Sequence, residues 1–342
     1  MKKFMNCSLA LIVLLFSCGK TNSTSNDVLP PLNLTVNANV ATDNSGNVSF
    51  TASATNATTY EYDFGNGVFQ IAPSGNVNYK YSSSGTYTVN VIAKNAIGQT
   101  ISKSIQITLS ASIALVWSDE FDTPGSPDAS KWGYDIGTGS GGWGNNELQY
   151  YTNRVQNVVV SGGTLKINLF KETFNGSNYT SARLLTKDKF SVKYGKIEAR
   201  AKLPAGLGTW PAIWMLGNNI TSAGWPACGE IDIMEHRGSE LNKIWGSLHY
   251  PGHSGANPDG NTVMINNATT EFHKYAVEWN ASSIKFYVDD ALFYTFANST
   301  SVPYNQNFFI LLNVAMGGNF GGTVDPNFSS ATMEVDYIRV YQ

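Results

Sequence analysis

Charged side chains are scarce in this chain. Asp, Glu, Lys and Arg together make up 14% of its 342 residues, and the formal net charge is −3. No stretch of the sequence clusters Lys or Arg with interleaved aromatic residues, which is the pattern typical of nucleic-acid binding. The sequence therefore predicts no nucleic-acid partner and favours an uncharged ligand.

Cysteine is also rare, and two of the three cysteines lie in the N-terminal segment MKKFMNCSLALIVLLFSCGK. Two lysines before a short apolar run predict a signal peptide, because the run is too short for a comfortable membrane span. The ending LFSC resembles a bacterial lipobox. It implies that residues 1–17 are removed and that Cys18 becomes a lipidated anchor on the outer or cell membrane. An ordinary secretory signal is the alternative. Cys228 would then be the one unlipidated cysteine, so no intrachain disulfide is expected.

Long amphipathic helical runs are absent, whereas Gly (32), Tyr (17), Phe (17) and Trp (8) are plentiful. This composition predicts an all-β, turn-rich protein. A Ser-, Thr- and Asn-rich tether at residues 18–30 precedes short β-runs at 31–111, whose spacing predicts a small immunoglobulin-like β-sandwich. The stretches YEYDFGNG (60–67) and YKYSSSGTYTVNVIAKNAIG (79–98) resemble the PKD domain, although Asn66 replaces its usual second Asp. The resemblance implies a spacer between anchor and enzyme, with sugar binding as the alternative.

A second and larger domain is predicted at residues 114–342. Its β-runs include two hairpins, turning at Gly162-Gly163 and at Asp289-Asp290. Many strands without intervening helices indicate a two-sheet sandwich. We therefore predict a β-jelly roll of roughly 230 residues with a concave cleft.

Three carboxylates crowd the apolar segment GEIDIMEH, residues 229–236. Side chains alternate between faces in a regular strand, so Glu230 and Asp232 share a face while Glu235 falls on the other. A β-bulge at Ile233-Met234 would return Glu235 to the first face. The two glutamates would then suit retaining glycoside hydrolysis, in which the carboxyls lie about 5 to 5.5 Å apart. Asp232 would bond the nucleophile and help to keep the acid protonated.

GEIDIME also resembles the bulged Glu-x-Asp-x-x-Glu signature of glycoside hydrolase family 16. GWGNNELQYYT (142–152), YGKIEARAKLP (194–204), GTWPAIWML (208–216) and GSLHYPG (246–252) are similar to its laminarinase branch. The resemblance covers the chain from about Val116 onward. It implies a jelly roll with a concave cleft, retention of configuration and no catalytic cofactor. It also implies Glu230 as nucleophile, Asp232 as assisting residue and Glu235 as general acid/base.

The same resemblance implies a set of sugar-binding residues, for which core packing, a turn or a solvated face is the alternative. NVAMGGNFGG (313–322) resembles a loop that closes the cleft, with Phe320 where relatives often carry Trp. Trp143 and Trp225 are further stacking candidates. The implied substrate-binding residues are Trp210, Trp214, His249, Asn146, Glu198, Arg200 and Asn319.

A structural calcium ion is a further implication of the resemblance. Glu120 in SDEFD and Asp336 in EVDYIRVY match positions that bind calcium in many relatives, and hard oxygen ligands suit this ion. Two unrelated surface acids are the alternative. His236, His253 and His273 have no metal-ligand spacing, so no zinc site is expected. Cys228 is expected to be a small buried hydrophobe.

The function predicted from these features is endo-acting hydrolysis of β-1,3 linkages in laminarin-type glucan by a monomeric surface lipoprotein. Mixed-linkage β-1,3-1,4-glucanases and marine galactan hydrolases of the agarase, porphyranase or carrageenase type are the alternatives within the same chemistry. A noncatalytic glucan-binding surface protein is the alternative from a different class. Retention of both glutamates in this chain argues against that last interpretation.

Overall fold

The computed structural model describes residues 28–342. The predicted signal peptide, the lipidation site Cys18 and most of the tether lie outside this range. Within residues 28–342, no helix has the length and apolar character required to cross a membrane. The fold consists of two β-sandwiches that follow one another along the chain, which confirms the predicted all-β class.

The first sandwich pairs a three-stranded sheet, in the order β1-β2-β5, with a four-stranded sheet, in the order β4-β3-β6-β7. Between them Phe50, Tyr62, Phe64 and Tyr81 form a buried aromatic core. Its strands are β1 Leu32–Val40, β2 Asn47–Thr55, β3 Thr59–Asp63, β4 Phe69–Ile71, β5 Asn76–Lys80, β6 Gly85–Lys94 and β7 Thr100–Leu109.

The second sandwich begins at β8, and its three short helical segments lie in loops. Its first half contains β8 Leu115–Asp119, β9 Gly133–Asp135, a wide helical turn at Gly142–Asn146, β10 Gln149–Tyr151, β11 Val158–Ser161, β12 Thr164–Phe174, β13 Ser177–Ser181, β14 Arg183–Leu185, β15 Gly195–Lys202, β16 Thr209–Gly217 and α1 Ile220–Ala223. Its second half contains β17 Glu230–Glu235, β18 Lys243–His249, β19 Asp259–Met264, β20 His273–Trp279, β21 Ser283–Val288, β22 Ala291–Ala297, β23 Phe308–Met316, α2 Gly318–Gly321 and β24 Ser330–Tyr341. The proposed domain limits of 31–111 and 114–342 stay a prediction.

Two large sheets enclose the core of this second sandwich. The ten-stranded sheet runs β10-β13-β12-β24-β15-β20-β21-β22, with β11 beside β12 and β8 beside β24. The seven-stranded sheet runs β19-β18-β17-β16-β23-β14-β9. Ile197 and Ala199 from the first sheet pack with Ile213 and Ile231 from the second. Residues that alternate with these must therefore face outward from the sandwich.

Both predicted hairpins of the larger domain are present. Gly162 and Gly163 connect β11 to β12, and Asp289 and Asp290 connect β21 to β22. All four residues have positive φ angles, between 47° and 75°. Two-residue hairpin turns favour such angles, which Gly and Asp adopt more readily than most residues.

Candidate active site

The central feature of the seven-stranded sheet is a bulge in β17. Against β16, Met234 is paired with Ile213 and Asp232 with Trp214, so Ile233 is an extra residue. Against β18, the three steps from Asp232 to Glu235 span only the two steps from Ser247 to Trp245. The bulge predicted at Ile233-Met234 is confirmed.

The bulge decides which side chains of β17 face outward. Ile231, Ile233 and Met234 are fully buried in the core between the sheets. Glu230, Asp232 and Glu235 therefore share the opposite face, despite the broken alternation in the sequence. We call this outer face of the seven-stranded sheet the acidic face.

Two tryptophans of β16 lie on the same acidic face. Ile213 and Met215 point into the core, so Trp210 and Trp214 point outward on the alternate positions. Trp210 Nε1 donates a hydrogen bond of 2.9 Å to Glu235 Oε1. Both predicted stacking residues thus stand beside the carboxylates, where an indole can cover the apolar face of a sugar.

The other two carboxylates also have specific partners. Trp225, in the loop before β17, donates from Nε1 to Glu230 Oε2 at 2.7 Å. His249, opposite Glu230 on β18, places Nε2 3.1 Å from Asp232 Oδ2. The predicted substrate-binding residue His249 therefore lies among the carboxylates of the acidic face.

The pKa values of all three carboxyls are raised. Burial, followed by the charge of Asp232, raises the pKa of Glu230 to about 8. Burial raises the pKa of Glu235 to about 6, and burial together with Glu235 raises the pKa of Asp232 well above its usual range. Within residues 28–342, no Lys or Arg forms an ion pair with these three groups, so the carboxyl cluster retains protons near neutral pH.

A cation and two aromatic rings extend the acidic face beyond β17. The guanidinium of Arg183 lies 4.7 Å from the ring centroids of both Trp143 and Trp214, and Asp135 holds it at 3.0 Å. Trp214 Nε1 also donates to Asn313 Oδ1 at 2.8 Å. These contacts fix the orientation of two indoles beside the acids.

Two predicted binding residues meet at the neighbouring loops. Asn146 Nδ2 donates to Asn319 Oδ1 at 2.9 Å, although the residues are 173 positions apart in sequence. Both side chains are exposed. Phe320, the next residue, lies 5.2 Å from the ring centroids of both Trp210 and Trp245. The segment 313–322, which comprises the end of β23 and the turn after it, therefore reaches the acidic face.

Residues 145–339 match the sequence profile described as Glycosyl hydrolases family 16. The match covers more than half of the chain and includes every residue of the bulged strand. The chain belongs to glycosyl hydrolase family 16. Residues 32–109 match the PKD domain, which confirms the resemblance of the first sandwich.

Similar proteins agree with this family assignment. A beta-glucanase from Rhodothermus marinus is 47% identical over 244 residues, which cover 67% of this chain and 85% of that protein. The chain covers only 38% of the longer glucan endo-1,3-beta-glucosidase A1 from Niallia circulans, at 40% identity. The crystal structure of the Rhodothermus marinus laminarinase superposes with a TM-score of 0.65 at 46% identity, covering 68% of this chain and 98% of that one. The predicted jelly roll is thereby confirmed.

Glu198 and Arg200 correct one expectation drawn from the family 16 resemblance. They alternate on β15 with Ile197, Ala199 and Ala201, which are fully buried between the sheets. Because β15 belongs to the ten-stranded sheet, its polar residues face away from the sandwich on the side opposite the acidic face. Their predicted role in sugar binding in the cleft is wrong.

The predicted calcium ligands are engaged otherwise. Arg339 binds both carboxylate oxygens of Glu120, at 3.1 and 2.8 Å, and Arg200 lies 2.5 Å from Asp336 Oδ2. Each of the two carboxylates is thus neutralised by a separate arginine. The calcium site at Glu120 and Asp336 stays a prediction.

Several residues of the family 16 site were missed from sequence. Arg183 and Asn313 come from strands distant along the chain, and no local pattern distinguishes them from other polar residues. Tyr304 OH donates to the backbone carbonyls of Glu230 and His249, at 3.3 and 3.1 Å. Cys228 is fully buried, as predicted, and burial raises the pKa of its thiol to about 11, which makes it a poor nucleophile.

Proposed function

We infer that the chain is an endo-acting, retaining β-glucanase that hydrolyses β-1,3 linkages of laminarin-type glucans. The observation that carries this inference is the bulged strand, which puts three carboxylates on one face between tryptophans. The similar proteins described above include a laminarinase and a glucan endo-1,3-beta-glucosidase. Their names support the β-1,3 linkage.

In the proposed reaction Glu230 attacks the anomeric carbon while Glu235 protonates the glycosidic oxygen, so that the bond to the leaving sugar breaks. A covalent glycosyl–enzyme ester results. Glu235, now ionised, removes a proton from water, and the resulting hydroxide equivalent displaces Glu230 from the anomeric carbon. The two displacements restore the original configuration and both protonation states.

The raised pKa values give Asp232 a place in this scheme. Attack requires an ionised Glu230 and a protonated Glu235, whereas burial and the charge of Asp232 give Glu230 the higher pKa of the two. Glu230 places a carboxylate oxygen within 4.8 Å of a carboxylate oxygen of Asp232. Transfer of its proton to Asp232 would free Glu230 for attack, and positive charge developing on the sugar would favour that transfer.

The cellular setting is part of the proposal. The LFSC sequence supports lipidation at Cys18, which would anchor a monomeric enzyme to the outer or cell membrane, with the PKD domain as spacer. Membrane fractionation of the wild-type protein and of Cys18→Ala tests this. Release of the protein into the soluble fraction by the substitution is expected, and an unchanged distribution would contradict it.

Product analysis tests the catalytic proposal. Laminarin, curdlan, lichenan, agarose and carrageenan are each digested, and the first anomer released is followed by proton NMR. Laminarin should yield a ladder of oligosaccharides with the β-anomer appearing first. Hydrolysis of a galactan alone would reassign the substrate, and a first product in the α-configuration would rule out double displacement.

A further inference from the structure

The acidic face contains a group of side chains suited to a transition-metal ion. Glu230, Asp232 and His249 each offer one ligand atom, and these atoms all lie within 4.8 Å of one another. One imidazole nitrogen with two carboxylate oxygens is a donor set that Zn²⁺ accepts readily. Sequence spacing gave no sign of it, because the ligands come from two neighbouring strands.

The contact between His249 and Asp232 points to a shared ligand. Nε2 and Oδ2 are 3.1 Å apart, yet Asp232 Oδ2 receives no hydrogen bond. Asp232 is only 3% exposed and His249 9%, so both side chains are largely shielded from solvent. Buried polar atoms without a hydrogen bond are uncommon. A separation of 3.1 Å without a hydrogen bond is compatible with two atoms that bind the same metal ion, each at a metal–ligand distance of about 2.0 to 2.2 Å.

The surrounding contacts fix the position of these ligands before any ion binds. Trp225 orients Glu230 through its hydrogen bond to Oε2 and leaves the other carboxylate oxygen available. Tyr304 ties the backbones of Glu230 and His249 together across the two strands. Such contacts around a ligand set raise metal affinity, since less order is lost on binding.

We propose that Glu230, Asp232 and His249 form an inhibitory binding site for Zn²⁺ that excludes the glucan from the acidic face. Binding occupies the proposed nucleophile and its assisting acid, so metal and substrate compete. The inhibition rests on the proposed function, whereas metal binding by itself does not. Ca²⁺ and Mg²⁺ are expected to bind far more weakly, because they prefer oxygen to imidazole nitrogen.

Isothermal titration of ZnCl₂ into the full chain, purified without a histidine tag, tests the site directly. One ion per chain is expected, and His249→Gln should weaken binding at least about tenfold. His253→Gln is the matched control, because His253 forms a second His–Asp pair, 3.2 Å from Asp259, on a more exposed turn. It should leave the affinity within about twofold of wild type. Asp232→Asn provides a second variant if His249→Gln proves unfolded by circular dichroism.

Three outcomes would overturn the metal site: no binding, unchanged binding in both His249→Gln and Asp232→Asn, or loss of binding in His253→Gln. In laminarin hydrolysis, Zn²⁺ should raise the apparent KM without lowering kcat, and EDTA should reverse the effect. Zinc that lowers kcat at saturating laminarin would refute the competition. Zinc binding by a metal-free protein that hydrolyses no glucan would refute the proposed function and leave the metal site standing.

Discussion

The acids of β17 and those on the outer face of the ten-stranded sheet differ in their partners. On the acidic face, the three carboxylates of β17 have no Lys or Arg ion-pair partner among the described residues. We call the outer face of the ten-stranded sheet the paired face, because a base accompanies each of four carboxylates there. Its ion pairs are Lys196–Glu198, Arg200–Asp336, Lys202–Glu334 and Arg339–Glu120.

The pKa shifts follow this difference in partners. Burial alone would raise the pKa of Glu198, but hydrogen bonds from Lys196 and Tyr337 bring it below the ordinary value. On the acidic face burial dominates, and the pKa of Glu230 rises to about 8. A buried carboxylate without a compensating base lowers the stability of the fold. The carboxylates of β17 therefore do not serve stability, which makes them candidates for a functional role. The comparison separates the acids paired with bases from the acids to which we assign the chemistry.

The largest expected difference between the faces is in turnover. Glu230→Ser removes the proposed nucleophile and should lower kcat on laminarin by about 10³-fold or more. Glu198→Gln replaces a carboxylate of the paired face by an amide of nearly equal size and should leave kcat within about twofold of the wild-type value. Initial rates of reducing-sugar release measure both. Near wild-type activity in Glu230→Ser, with its fold confirmed by circular dichroism, would contradict the assignment of Glu230 as nucleophile.

The sequence was sufficient for the acidic face at β17 but not for the paired face at β15. In β17 the conflict between charge and alternation could be resolved only by a bulge, so local chemistry located the feature. In β15 the alternation of Glu198 and Arg200 with Ile197 and Ala199 predicts one buried and one exposed face of the strand. The same pattern would fit a strand in either sheet. Only sheet membership, which depends on long-range pairing with β20 and β24, decides which outer face these residues occupy.

A smaller difference in kcat is expected when the hydrogen-bond donor to an acid is removed on the acidic face or on the paired face. Trp210→Phe removes the donor to Glu235 and should lower kcat about 10- to 100-fold, because a hydrogen bond to a charged group contributes roughly 1.5 to 3 kcal/mol. Tyr337→Phe removes the corresponding donor to Glu198, at 2.8 Å, and should leave kcat unchanged. Equal losses in the two variants would show that rigidity of the sandwich, and not the acid itself, limits the rate.

The free energy of unfolding should depend on pH in opposite directions for acids of the two faces, by about 2 kcal/mol for Glu235. The pKa of Glu235 rises from 4.5 to about 6 on folding, so the native state binds more protons than the unfolded state between these values. The free energy of unfolding therefore falls as pH rises through this window, by about 2 kcal/mol in total. Glu235→Gln, which cannot ionise, should be more stable than wild type by that amount at pH 7 and equally stable at pH 4.

Urea unfolding at both pH values measures this difference. Glu198→Gln is the control from the paired face, and because folding lowers the pKa of Glu198, the sign is reversed: the substitution should cost stability at pH 7 and little at pH 4. A stability gain in Glu235→Gln that is independent of pH would show that packing, rather than ionisation, is responsible.

The smallest expected effect comes from Arg200, whose ion pair with Asp336 is the most exposed of the four, with side chains 39% and 33% exposed. Water and salt screen such a pair, so Arg200→Gln should lower the free energy of unfolding by less than about 1 kcal/mol, and less still in 1 M NaCl. Because the residue lies on the paired face, the KM for laminarin should not change. Lys202→Gln, which breaks the neighbouring pair with Glu334 at 2.7 Å, should behave alike. A severalfold rise in KM in Arg200→Gln but not in Lys202→Gln would instead mean that the glucan reaches the paired face, and the division of roles between the two sheets would fail.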